Sequence, residues 1–173
     1  MKTSKISFLF LLATFFINAC QEKENVVPAG FGFKTPVIHG FWMRDYNGSP
    51  MGYYGNPNIK ISNEAGLSMN CFPNPACNIW RIYFRPESAL EKKIWIVHAT
   101  TDPDYDPAPY ALGALPTRIG GVPVYEITTY GNEINIPADN LYNGYYKIYC
   151  VIGDDLLHDN LVRDTSMYYC GNK

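Results

Sequence analysis

The chain has 173 residues, 47% hydrophobic and 17% charged, with a net charge of −2. One domain of ordinary size fits that length and two with separate cores do not. The apolar content excludes a disordered chain, while 13 Pro and 14 Gly argue against an all-helical bundle.

The N-terminus reads as an export signal. Lys2 and Lys5 form a short basic region, and Phe8 to Ile17 is an apolar run dominated by Phe and Leu. That run is shorter than the roughly 20 residues a membrane-spanning helix needs. The block Ile17-Asn18-Ala19-Cys20 that follows resembles the lipobox of bacterial lipoproteins, with an aliphatic residue and a small residue ahead of a cysteine. The resemblance implies cleavage before Cys20 and lipidation of that residue, hence attachment to the outer membrane on its periplasmic or its surface side. Gln21-Glu22-Lys23-Glu24-Asn25 then resembles the acidic surface-export signal of lipoproteins of the Bacteroidetes. It also reads simply as the start of a polar, flexible tether. Residues 1–19 are thus expected to be signal, 20–35 lipidated cysteine and tether, both disordered, and 36–173 the folded domain. Without Lys2 and Lys5 the mature chain keeps 12 Lys and Arg against 16 Asp and Glu, a net charge of −4. No basic stripe is visible, so nucleic acid is not expected as a partner.

From Val37 onward apolar residues recur with period two, which predicts strands. In chain order these are Val37 to Met43, Asn58 to Ser62, Gly66 to Phe72, Ile79 to Arg85, Lys93 to Ala99, Tyr125 to Thr129, Glu133 to Ile136, Tyr145 to Ile152 and Leu161 to Tyr169. The clearest is Ile79 to Arg85, where Trp80, Ile82 and Phe84 alternate with Arg81, Tyr83 and Arg85. Ser88 and Glu91 have capping-box spacing, which predicts one helical turn over Pro86 to Lys93. About nine short strands separated by turn chemistry define an all-β fold, a single antiparallel β-sandwich.

Near the C-terminus, Leu141-Tyr142-Asn143-Gly144-Tyr145-Tyr146-Lys147-Ile148-Tyr149-Cys150 opens an alternating strand on a Leu, a Gly and then Tyr. With Lys147 towards water, Tyr146, Ile148, Cys150 and Ile152 share the inner face. The segment resembles the tyrosine corner of immunoglobulin and fibronectin type III sandwiches. The resemblance implies an immunoglobulin-like fold. It does not extend to the intersheet disulfide of antibodies, because no cysteine lies on a strand resembling the second one.

Four cysteines remain once Cys20 is lipidated, an even number suited to an oxidising compartment. Cys71 and Cys77 bracket a segment with two prolines, which predicts a local disulfide. Cys150 and Cys170 would then join the last two strands. Neither spacing is that of a zinc knuckle.

Asp102-Pro103-Asp104-Tyr105-Asp106 places three carboxylates at alternate positions, the first half of a calcium loop, and Asp102, Asp104 and Asp106 are a candidate calcium site. Pro107 and Gly113 break the second half of that motif, and solvated acids in a Pro-rich turn account for the same residues. Asp154, Asp155, His158 and Asp159 read as a polar loop between the last two strands. No nucleophile elbow, HExxH or phosphate-cradling loop accompanies His39, His98 or His158, so no catalytic residue and no obligatory cofactor is expected.

Two irregular stretches carry exposed-type aromatics. Trp42, Tyr46, Tyr53 and Tyr54 follow the first strand, and Tyr105 and Tyr110 lie in the long Pro-rich segment Thr100 to Gly121. These six rings are the candidate ligand-binding residues, since Trp and Tyr give large contact area at low entropic cost. The sequence therefore reads as a lipid-anchored envelope protein with a non-catalytic binding or assembly domain, its partner an envelope protein or a glycan. The alternative is a calcium-dependent glycan-binding domain or a carbohydrate-active enzyme using the acidic loop.

Overall fold

The computed structural model describes residues 35–101 and 122–166. Within them lie eleven strands: β1 (Val37–Ile38), β2 (Gly40–Arg44), β3 (Pro50–Gly55), β4 (Ser68–Phe72), β5 (Ile79–Arg85), β6 (Lys92–His98), β7 (Thr100–Thr101), β8 (Tyr125–Thr129), β9 (Glu133–Pro137), β10 (Gly144–Ile152) and β11 (Asp155–Arg163).

Seven of them build the sandwich. One sheet has the order β4-β5-β9 and the other β11-β10-β6-β8, with every pairing antiparallel. Lettered A to G in chain order, these are sheets ABE and GFCD. That is the immunoglobulin-like order with the fourth strand moved from beside the fifth to beside the third.

Alternation puts Trp80, Ile82 and Phe84 of β5, Ile134 and Ile136 of β9, Ile94 and Ile96 of β6, and Tyr146, Ile148, Cys150 and Ile152 of β10 into one core. Burying each large side chain there contributes about 1.5 to 3 kcal/mol. Tyr146 opens β10 as expected of a tyrosine corner. Its ring packs edge-on to Trp80 at 5.6 Å, and its hydroxyl donates to the carbonyl of Tyr142, four residues back, at 2.6 Å.

Lys147, expected to face water, is buried. The reason is a further layer on the outer face of the β10–β11 pair. There β2 and β3 form an antiparallel hairpin, and β1 pairs in parallel with β7. Phe41 and Ile38 from this layer meet Tyr145 and Val162 in a second core. The Lys147 ammonium finds the Asn58 carbonyl at 3.0 Å and Asn160 Oδ1 at 3.1 Å.

Three further expectations are corrected. Asn58 to Ser62 is no strand; it makes only isolated bridges, Lys60 to His158 and Ser62 to Ser68. The last strand runs earlier, over Asp155–Arg163, because Gly153 (φ +58°) and Asp154 turn the chain in a two-residue hairpin. Asp155, His158 and Asp159 are thereby strand residues. Pro86 to Lys93 forms no helical turn: the Ser88 N–H donates to Asn132 Oδ1, and the Ser88 and Leu90 carbonyls are taken by the Lys92 ammonium at 2.7 and 3.0 Å. Those carbonyls are what a helix would have used internally.

Candidate functional site

The β2–β3 hairpin divides four aromatic residues between two faces. Phe41 is opposite Tyr54 and Trp42 opposite Tyr53 in the antiparallel register. Successive side chains on a strand point to opposite sides. Phe41 is fully buried against the sandwich, with Tyr54 partly buried beside it at 5.9 Å between ring centroids. Trp42 and Tyr53 therefore face outward, 37% and 66% exposed. Met51 and Tyr46 are exposed nearby.

The loop closing this hairpin is held by Asp45, whose Oδ1 accepts from the N–H groups of Asn47 and Ser49, both at 2.8 Å. Gly48 sits there at φ +80°, a conformation few other residues take easily. An added Cβ would lie 2.9 Å from Asn70 Nδ2.

Beneath the exposed pair lies a buried polar lattice. The Arg44 guanidinium stands 5.8 Å from the Trp42 ring centroid. Its Nη1 donates to Asp159 Oδ2 at 2.8 Å and to the Cys71 carbonyl at 3.1 Å, so it bridges β2 to both sheets. Complete burial raises the Asp159 carboxyl above its ordinary value, and Arg44, the Asn160 N–H and Lys147 offset this only in part. Burial likewise pulls the Lys147 ammonium down to about 8, against the attraction of Asp159.

Asn74 fastens the hairpin to the edge of β11. Its Nδ2 donates to the carbonyls of Trp42 (2.7 Å) and Asn160 (2.9 Å), and its Oδ1 accepts from the Val162 N–H at 2.8 Å. Its backbone exchanges two hydrogen bonds with Arg44. Asn160 in turn donates from Nδ2 to the Gly40 carbonyl and to Asn58 Oδ1. The Trp42 backbone and the cation behind its ring are thus held by the fold itself.

Of the six aromatic candidates, the structure brings Trp42 and Tyr53 together and leaves Tyr46 exposed in the adjoining loop. Tyr54 is corrected, since it belongs to the inner face. Tyr105 and Tyr110 lie outside the described residues, as do Asp102, Asp104 and Asp106, Cys20 and Cys170. Among the described residues no group of three His, Cys, Asp or Glu is placed to hold a metal ion.

The two predicted disulfides are corrected as well. Cys71 and Cys150 are free, buried thiols on the inner faces of β4 and β10. Burial pushes Cys71 well up, and Cys150 up to about 12. Cys77 is disulfide-bonded, but to neither of them.

Sequence reasoning missed Met51, Arg44 and Asn74. Arg44 had one signal: it follows Trp42 by two residues, the spacing of neighbours on one strand face. Asn74 had none, being one polar residue between two prolines. The chain matches no protein-family model and no curated protein.

Proposed function

We propose that this is a lipid-anchored protein of the bacterial cell envelope, acting as a non-catalytic module that binds an envelope protein or a glycan. The observation that carries the reading is the outward Trp42–Tyr53 pair, held open to solvent on a hairpin whose other face is packed onto the sandwich. Exposed aromatic clusters on a rigid support mark interaction sites. The lipobox-like block ending in Cys20 supports attachment to the outer membrane through acyl chains, and a polar tether after it would present the domain away from the bilayer.

Two measurements test this. Cys20→Ala is expected to move the protein from the membrane fraction to the soluble fraction, and unchanged partitioning would overturn the anchor. Photo-crosslinking from position 53 in the native membrane is expected to capture an envelope component. If labelling is no greater than from exposed Glu87, in the β5–β6 connection, the hairpin is not the binding face.

A further inference from the structure

The reading above leaves the chemistry of the partner open, and the hairpin itself narrows it. From Tyr46 to Ile59 the chain holds no charged side chain and no histidine, in a protein that is 17% charged. The two charges that precede this run are consumed: Arg44 is buried on Asp159, and Asp45 accepts two backbone N–H groups. Between Tyr46 and Ile59 the hairpin therefore offers flat rings, amides and phenols and no charged side chain of its own to a charged peptide or anion, and charge is what ordinarily gives such contacts their selectivity.

Strand addition is also poorly served. A partner strand needs a regular ladder along the edge of β3. Here Gly52 (φ +115°) and Gly55 (φ +69°) break the extended conformation, and the register shifts between Met43 and Arg44. What remains usable is the side-chain face. Directly opposed residues on paired strands have Cβ atoms about 5 Å apart, so Trp42 and Tyr53 leave the hairpin side by side on its outer face. The Arg44 guanidinium and the Asn74 bond to the Trp42 carbonyl hold the Trp42 side in place, which lowers the entropic cost of binding.

We propose that the Trp42–Tyr53 face binds a neutral glycan by stacking of its sugar rings, with the exposed Asn47 and Asn56 on the same hairpin and its flank to meet its hydroxyls. This rests on the binding-module reading. Trp42 and Tyr53 are the contact residues, and Arg44 is a positioning residue.

The test is affinity electrophoresis of the full-length chain in detergent, through native gels cast with dextran, mannan or mixed-linkage β-glucan, and with alginate as the anionic comparison. At least one neutral polysaccharide is expected to retard the protein and alginate is not. Trp42→Ala should weaken retardation about tenfold or more, and Tyr53→Ala severalfold. Tyr130→Ala, which removes an exposed ring elsewhere, should have no effect. Thermal melting of each variant separates lost binding from lost folding. Retardation by alginate alone, by none of the gels, or undiminished in Trp42→Ala overturns the proposal. If no gel retards the protein but Trp42→Ala abolishes crosslinking to an envelope protein, the glycan assignment fails and the binding module stands. If Trp42→Ala instead abolishes self-association in sedimentation, a second copy of the chain is the occupant and the proposal fails.

Discussion

Replacing Asp159 by Val should cost this protein more than replacing Asp159 and Arg44 together. The Arg44–Asp159 pair is 2.8 Å apart with side-chain exposures of 3% and 0%. At an effective dielectric of about 20 the attraction at that distance is about 4 to 6 kcal/mol, while each ion gives up several kcal/mol of hydration. The raised value of the Asp159 carboxyl shows that burial outweighs its stabilising partners. The pair as a whole is therefore close to neutral for stability, and its halves are not. In Asp159→Val the guanidinium keeps the Cys71 carbonyl as its one hydrogen-bond acceptor beside the Trp42 ring, and its Nη2 already has no hydrogen-bond partner. A stranded buried charge costs about 3 to 5 kcal/mol. Arg44→Met strands Asp159, which can instead take up a proton. Its folded-state value would rise further, so in this variant the Asp159 contribution is fully present below about pH 4, near the unfolded carboxyl value, and is lost as pH rises through the higher folded value. Arg44→Met/Asp159→Val is expected to lie within about 1 kcal/mol of wild type, which makes the coupling between the sites larger than about 2 kcal/mol. Urea unfolding at pH 7 measures all four proteins, read from midpoints at constant m. A double variant as unstable as the sum of the single losses, or an Asp159→Val loss under about 1 kcal/mol, would refute the reasoning.

The remaining predictions concern protons, thiols and the corner. His158 is held down at about 4, against 6.5 when unfolded, by burial and by Lys147 and Lys60. Its contribution is thus present above pH 6.5 and lost as pH falls towards 4. The ring is partly exposed, so the loss is about 1 to 2 kcal/mol after allowance for solvent screening, and His158→Gln should flatten that part of the stability profile. A maleimide should leave Cys71 and Cys150 unlabelled in the native protein and label both on unfolding without reductant, while Cys77 needs reductant as well. Recovery of a Cys71–Cys77 crosslinked peptide would contradict this arrangement. Tyr146→Phe removes only the hydroxyl bond to Tyr142 and should cost about 1 kcal/mol, or up to about 3 if the carbonyl is left dry. Tyr146→Ala, which empties the space beside Trp80, should cost about 3 to 5 kcal/mol; equal losses for the two variants would show that the hydroxyl, and not the ring, holds the corner.

What could be read from the chain and what could not divides along one physical line. Strand β5 was legible to its last residue, because it has one buried and one exposed face and period two reports that difference directly. The Tyr146 corner was legible from a different signal, the Leu, Gly and Tyr that open the strand, since β10 is buried on both faces there. Strand β3 was not: nearly all of its residues are exposed, so no alternation betrays it. Lys147 was assigned to water on its charge, yet a covering layer supplies the carbonyls that let an ammonium be buried. In β11, Asp155, His158 and Asp159 read as loop because the partner that makes Asp159 tolerable, Arg44, is 115 residues away in sequence. Counting cysteines carried no information on which of them face the core.

The candidate site obeys the same logic at finer scale. That Trp42, Tyr53 and Tyr54 were candidates for a binding face followed from residue type alone; which rings face outward depended on strand parity and on the side where the sandwich lies. A shift of one residue in the β2–β3 register would move Tyr54 to the surface and Tyr53 inward, setting Tyr54 or Gly52 opposite Trp42 according to its direction. Asn74 ties the Trp42 and Arg44 backbones to β11 and so opposes that shift. The side of β2 that Trp42 presents thus rests in part on one buried, uncharged amide.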